Sequence, residues 1–148
     1  MSELRELYQE VILDHNRQPR NFGPLEGSNR MAHGDNPLCG DTIEVFLQVE
    51  EGVVQKAAFQ GSGCAISTAS ASLMTEALTG LSVADANALL EAFLSLVKGQ
   101  GGSGQGGLGK LAVFEGVREF PMRVKCATLC WHTARAAWAE ESAPVTTE

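Results

Sequence analysis

No stretch of the chain approaches the roughly 20 consecutive apolar residues of a membrane-spanning helix, so such a helix is not expected. Positive charge is also scarce. Eleven Lys and Arg stand against 18 Asp and Glu, a formal net charge of −7. That deficit argues against a nucleic-acid partner, which calls for a basic face, and leaves room for a basic protein partner. The opening MSELRELYQE carries acids in its first turns and lacks an apolar core behind a basic start. A secretory leader is therefore not expected, and the cytoplasm is the expected compartment. With 44% hydrophobic and 20% charged residues the chain is neither disordered nor fibrous. Its 148 residues suit one domain, 1–148, that buries its own core.

Cysteine is sparse too. Cys39, Cys64, Cys126 and Cys130 contain no C-x-x-C pair, which excludes the common zinc-ribbon, zinc-finger and thioredoxin patterns. Without a leader, four thiols suggest metal or sulfur chemistry rather than a disulfide framework. Cys39 stands in NPLCGDTIEVFLQVEEG. Pro37 and Gly40 mark a turn, and Ile43, Val45, Leu47 and Val49 alternate as the buried face of a strand. Glu51-Gly52 reads as a turn, with VVQKAAFQ as the return strand. In extended backbone Cys39 and Asp41, two apart, point the same way. They read either as a converging pair of zinc ligands or as a turn aspartate beside a structural cysteine. Cys64 follows Gly61-Ser62-Gly63 at the start of a helix that runs to Gly80. The partial positive charge of a helix N-terminus favours an anion there. The alternative is a small apolar residue filling the strand–helix corner.

Pro121 suits the start of a last, alanine-rich helix. Cys126 and Cys130 lie on it four apart and share a face. Cys126, beside Arg123 and Lys125, is the better ligand candidate, and Cys130, beside Trp131, the better packing residue. Ser2–His15 is amphipathic, SNRMAH is a short first strand, and Ser82 with Asp85 marks the start of another helix. Gly99–Gly109 holds seven glycines. It matches G-x-G-x-x-G and G-x-x-x-x-G-K, but it follows a helix, and Leu111 offers no hydroxyl after Lys110. Residues 99–110 are read as a flexible insertion and 142–148 as a frayed tail. The histidines are left outside the site, and no nucleophile elbow supports a hydrolase.

Four segments, YQEVILDHNRQPRNFG, NPLCGD, FQGSGCAISTASASLM and RVKCATLCW, resemble the IscU-like (NifU N-terminal type) iron–sulfur cluster assembly proteins, SufU branch. The resemblance implies an α+β fold, a small antiparallel three-stranded sheet packed against several helices. It implies a metal site of Cys39, Asp41, Cys64 and Cys126 that takes zinc, with iron or a transient 2Fe–2S cluster on Cys39, Cys64 and Cys126 as the other occupant. It also implies sulfur received from a cysteine desulfurase of SufS type and passed to downstream cluster-assembly proteins or apo-proteins. Scaffold-type relatives carry His before the third cysteine and an L-P-P-V-K-type segment; here stand Lys125 and EFPMRVK. That favours a zinc-dependent, sulfurtransferase-like acceptor over a non-enzymatic scaffold. Cys39, in a turn, is the expected sulfur acceptor, with Lys125 and Arg123 offsetting the negative charge of the site.

Overall fold

Alternating side chains build the centre of the molecule. The computed structural model describes residues 2–98, 109–140 and 145–146. Strands β1 (Arg30–Asn36), β2 (Asp41–Glu50) and β3 (Val53–Ser62) pair antiparallel, with β2 in the middle. Asp41, Ile43, Val45, Leu47 and Val49 are buried while their neighbours face outward, as the period of two requires. Glu51 and Gly52 both have positive φ, 54° and 74°, which suits the tight two-residue turn between β2 and β3. Gln48 pairs with Lys56 but Val49 with Val54, so Gln55 is an extra, bulged residue. The bulge lets Val54 and Ala57, three apart, both face the core.

Helices α1 (Ser2–Arg17), α2 (Ala65–Leu78), α3 (Val83–Val97) and α4 (Pro121–Trp138) complete the fold. Helix α4 crosses β1 and β2, α2 packs on β3 and on α4, and α1 lies against α2. From Cys126 to Trp138 only His132 and Arg135 escape full burial, so α4 is the central helix and is small or apolar on nearly every side. Trp131 stacks on Phe93, ring centroids 4.7 Å apart. Ser82 caps α3 by accepting the Asp85 N–H, the contact its spacing predicts. No helix among the described residues is long and apolar enough to cross a membrane.

Two segments differ from the sequence reading. Val145–Thr146, inside the expected frayed tail, forms β4, parallel to Gly34–Asp35 of β1. Gly109 and Lys110, expected to close the glycine-rich insertion, instead open 3-10 helical turns over Gly109–Glu119. Buried Leu111, Phe114 and Val117 recur every third residue, the period of that helix. Phe114 there meets Phe93 edge-on at 5.8 Å. Residues 99–108, with the whole G-x-G-x-x-G match and all of the G-x-x-x-x-G-K match but Gly109 and Lys110, lie outside the described residues.

Candidate metal centre

The end of the sheet where β2 begins and β3 ends carries the chemistry. Asp41 opens β2, completely buried on its inner face. The loop from Asn36 to Asp41 carries Cys39, half-buried between exposed Leu38 and Gly40. Asn36 shapes this loop: its carbonyl accepts the Cys39 N–H (3.2 Å) and its Oδ1 the Leu38 N–H (3.2 Å). Such a side-chain-to-backbone turn is what Asn before Pro promotes. Cys39 and Asp41 do converge, but not by the alternation of an extended strand. Cys39 precedes β2, and Gly40 between them takes φ +73°, a left-handed backbone that glycine adopts at no steric cost.

Cys64 is the N-cap of α2, where its sulfur accepts the Ser67 N–H at 3.4 Å. Its own N–H donates to Asp41 Oδ1 (2.9 Å), and its sulfur lies 4.0 Å from Asp41 Oδ2. A carboxylate is well placed there, because the first N–H groups of a helix lack internal partners. The approach needs glycine before Cys64: a Cβ on Gly63 would lie 2.6 Å from Asp41 Oδ1. Cys126 comes from α4, buried, its Sγ 3.2 Å from Cys39 Sγ across 87 residues of sequence. This is far longer than a disulfide bond, and all four cysteines are free.

Donor atoms of Cys39, Asp41 and Cys126 all lie within 4.8 Å of one another. Cys64 borders that group through Asp41. Burial drives the Cys126 thiol well above the ordinary thiol range, reinforced by Cys39, Asp41 and Cys64. An uncompensated thiolate is disfavoured there, and a cation is what would compensate it. Thiolates with a carboxylate are donors that zinc takes, so the residues present fit it. Asp41 would offer Oδ2, since Oδ1 is held by the Cys64 N–H.

Cys130 stands apart. It is fully buried, its sulfur 3.5 Å from Ser70 Oγ, and burial pushes its thiol up to about 12. Arg123 is exposed, its guanidinium carbon 4.9 Å from the centroid of the Phe120 ring. Lys125 is half-buried, and its carbonyl accepts the Thr128 hydroxyl at 3.4 Å. His33 is 3.9 Å from Asp35 on β1. His15 is buried against Ser72 Oγ at 2.7 Å, where it ties α1 to α2. The sequence reading missed Asn36, although Asn36-Pro37, separated from Cys39 by Leu38 alone, was a turn signal.

Fold, loop and cysteine cluster together define a member of one family. Residues 7–127 match the family model described as NifU-like N terminal domain, and the chain belongs to that family. It is 40% identical over 93% of its length to the iron-sulfur cluster assembly scaffold protein IscU of Streptococcus pyogenes, covering 86% of that protein. It is 38% identical to the zinc-dependent sulfurtransferase SufU of Bacillus subtilis, with 95% of each chain covered. Among solved structures it resembles a putative iron-sulfur cluster assembly scaffold protein for the SUF system from Fervidobacterium islandicum. That match has a TM-score of 0.82 at 30% identity and covers 86% of this chain and 93% of the other.

Proposed function

We propose that this protein serves iron–sulfur cluster biogenesis as a zinc-dependent sulfur acceptor, taking persulfide sulfur from a cysteine desulfurase and relaying it to cluster-assembly proteins or apo-proteins. The observation that carries this reading is the convergence of Cys39, Asp41 and Cys126 within 4.8 Å, with Cys39 on an exposed loop. The Bacillus subtilis relative is named a zinc-dependent sulfurtransferase. Cys39, Asp41, Cys64 and Cys126 form the ligand set, and Cys39 is the acceptor. Zinc, when bound, supplies a redox-inert Lewis acid that keeps its thiol ligands deprotonated.

The chain's own residues do the rest. The Cys39 loop, with exposed Leu38 beside Cys39 in sequence, presents its sulfur to a docked partner, and Phe120 and Met122 at the start of α4 are exposed apolar residues as well. Cys39 Sγ, as thiolate, attacks the outer sulfur of the desulfurase cysteine persulfide. A sulfur–sulfur bond forms to Cys39, the bond within the desulfurase persulfide breaks, and the desulfurase cysteine leaves as thiolate. Arg123 and Lys125 offset the anionic charge of the cluster. Asp41, anchored through Oδ1, holds the rest of the site in place while Cys39 reacts. The four free cysteines suit the reducing cytoplasm.

Relatives from Streptococcus pyogenes and Thermotoga maritima, 40% and 37% identical, are named scaffolds. That supports a second reading, in which a 2Fe–2S cluster is assembled as cargo on Cys39, Cys64 and Cys126. Lys125 in the position where scaffolds carry His favours the first. Desulfurase turnover separates the two. The protein should accelerate alanine release from cysteine, and Cys39→Ala should abolish the acceleration. No acceleration, together with a stable 2Fe–2S spectrum after iron and sulfide are supplied, would establish the scaffold.

A further inference from the structure

Asn36 is completely buried, and its side-chain nitrogen has no hydrogen-bond partner among the described residues. The orientation of the amide is fixed. Oδ1 accepts the Leu38 N–H at 3.2 Å, so exchanging O and N would set two donors against each other. Buried donors are almost always paired, and one left over calls for an explanation. Its surroundings supply one. Asn36 is the cross-strand partner of Asp41, and both side chains lie on the buried face of the sheet. Its carbonyl holds the Cys39 N–H. The idle donor therefore belongs to the loop and strand pair that carry two members of the thiol–carboxylate cluster. Asp41 Oδ1 is already taken by Cys64 N–H, and the sulfurs of Cys39 and Cys126 lie 3.2 Å apart in the same cluster.

We infer that Asn36 is a positioning residue of the metal centre, its amide N–H donating to a ligand sulfur of the Cys39–Cys126 pair once metal replaces the thiol protons. An uncharged donor beside a cluster of negative ligands offsets charge without competing for the metal. The same residue fixes the Cys39 loop through Oδ1, so one side chain sets both the position and the charge environment of the ligand. The inference rests on the metal-site reading above, and the test separates the two.

Zinc affinity is measured by chelator competition on the whole chain, for wild type, Asn36→Ala and Asn36→Asp. The aspartate variant keeps the acceptor for Leu38 N–H and loses the amide donor. Loss of an outer partner of a metal ligand typically weakens binding by about 10–100-fold. Both variants should show that loss in the protein that remains folded, the unfolding midpoint of the metal-free protein being measured alongside because emptying or charging this buried position lowers it. NMR-active cadmium in isotopically labelled wild type should couple through the hydrogen bond to the Asn36 side-chain NH2. Wild-type affinity in both variants, or a cadmium-loaded protein without that coupling, overturns the role of Asn36 and leaves the metal site standing. Wild type that binds neither zinc nor cadmium overturns both.

Discussion

Cys126 and Cys130 sit one turn apart on α4, both buried, yet they meet different chemistry. Cys126 faces Cys39 at 3.2 Å and the Asp41 carboxylate; Cys130 faces Ser70 Oγ and the Ala127 carbonyl. The proposed ligand set separates a ligand cysteine from the packing cysteine by substitution. Cys64→Ser should lose most of the bound zinc, whereas Cys130→Ser, with a hydroxyl that can donate to the same two acceptors, should retain it. Metal content after gel filtration checks this, and equal loss in both variants would move the site down α4. The two thiols should also differ in reactivity. Burial pushes Cys130 up to about 12, so it stays protonated and shielded, while Cys64 is exposed at a helix N-terminus. Brief alkylation of the metal-free protein, read by mass spectrometry, should label Cys64 first and Cys130 only on unfolding. Metal retention should fall with acid, because each proton displaced on binding contributes about tenfold per pH unit.

Among the elements, α2 and α4 hold the site because they are tied to each other. Ser70 on α2 donates to the Ala127 carbonyl at 2.6 Å and accepts from Trp131 Nε1 at 3.3 Å. Ser70→Ala leaves the indole N–H without that acceptor, and should lower stability by about 1–3 kcal/mol in chemical denaturation. If the tie sets how Cys126 meets Cys39, zinc affinity should fall as well; Ser70→Cys, with a weaker acceptor, should lie between the two. Much at this scale was legible in the sequence. The alternation from Ile43 to Val49 is a one-dimensional signal, as are Glu51-Gly52 and the cap at Ser82. The three-residue period of Leu111, Phe114 and Val117 was also there, masked by the glycines before it. The closure of the site was not legible by spacing. Cys39 and Cys126 are 87 residues apart, and only the crossing of α4 over β1 and β2 brings them together. The convergence of Cys39 with Asp41 was anticipated for the wrong backbone: the loop turns at Gly40 instead of running extended. β4 escaped notice because two residues carry no period, and their pairing depends on where β1 leaves an open edge.

On the scale of the whole molecule, acid acts on the packing of helices through two histidines. His15 is buried where α1 meets α2, its Nδ1 2.7 Å from Ser72 Oγ and its Nε2 3.8 Å from Glu76. Burial, with Arg20 nearby, holds it below the ordinary histidine value of 6.5 despite the opposing pull of Glu76 and Asp14. His132 on α4 is lowered in the same direction by burial and by Arg135, which donates to its Nδ1 at 3.1 Å. The folded chain therefore binds fewer protons at these sites than the unfolded chain. Stability from both histidines is complete above pH ~6.5, the unfolded value, and declines as pH falls below it toward the lowered folded values. Asp14, held low by its hydrogen bond to Arg20, does not change charge in this window. In the metal-free protein with thiols reduced, the unfolding free energy should drop between about pH 7 and pH 5. His15→Gln, which keeps a group able to bond Ser72 but does not titrate, should flatten part of that slope at some cost in stability near neutrality. The remainder should disappear with His132→Gln. Urea titrations at a series of pH values measure the slope directly. A wild-type slope that is flat or rises toward acid would show that neither histidine is held neutral by burial, and a slope unchanged in both variants would assign the acid sensitivity to other groups.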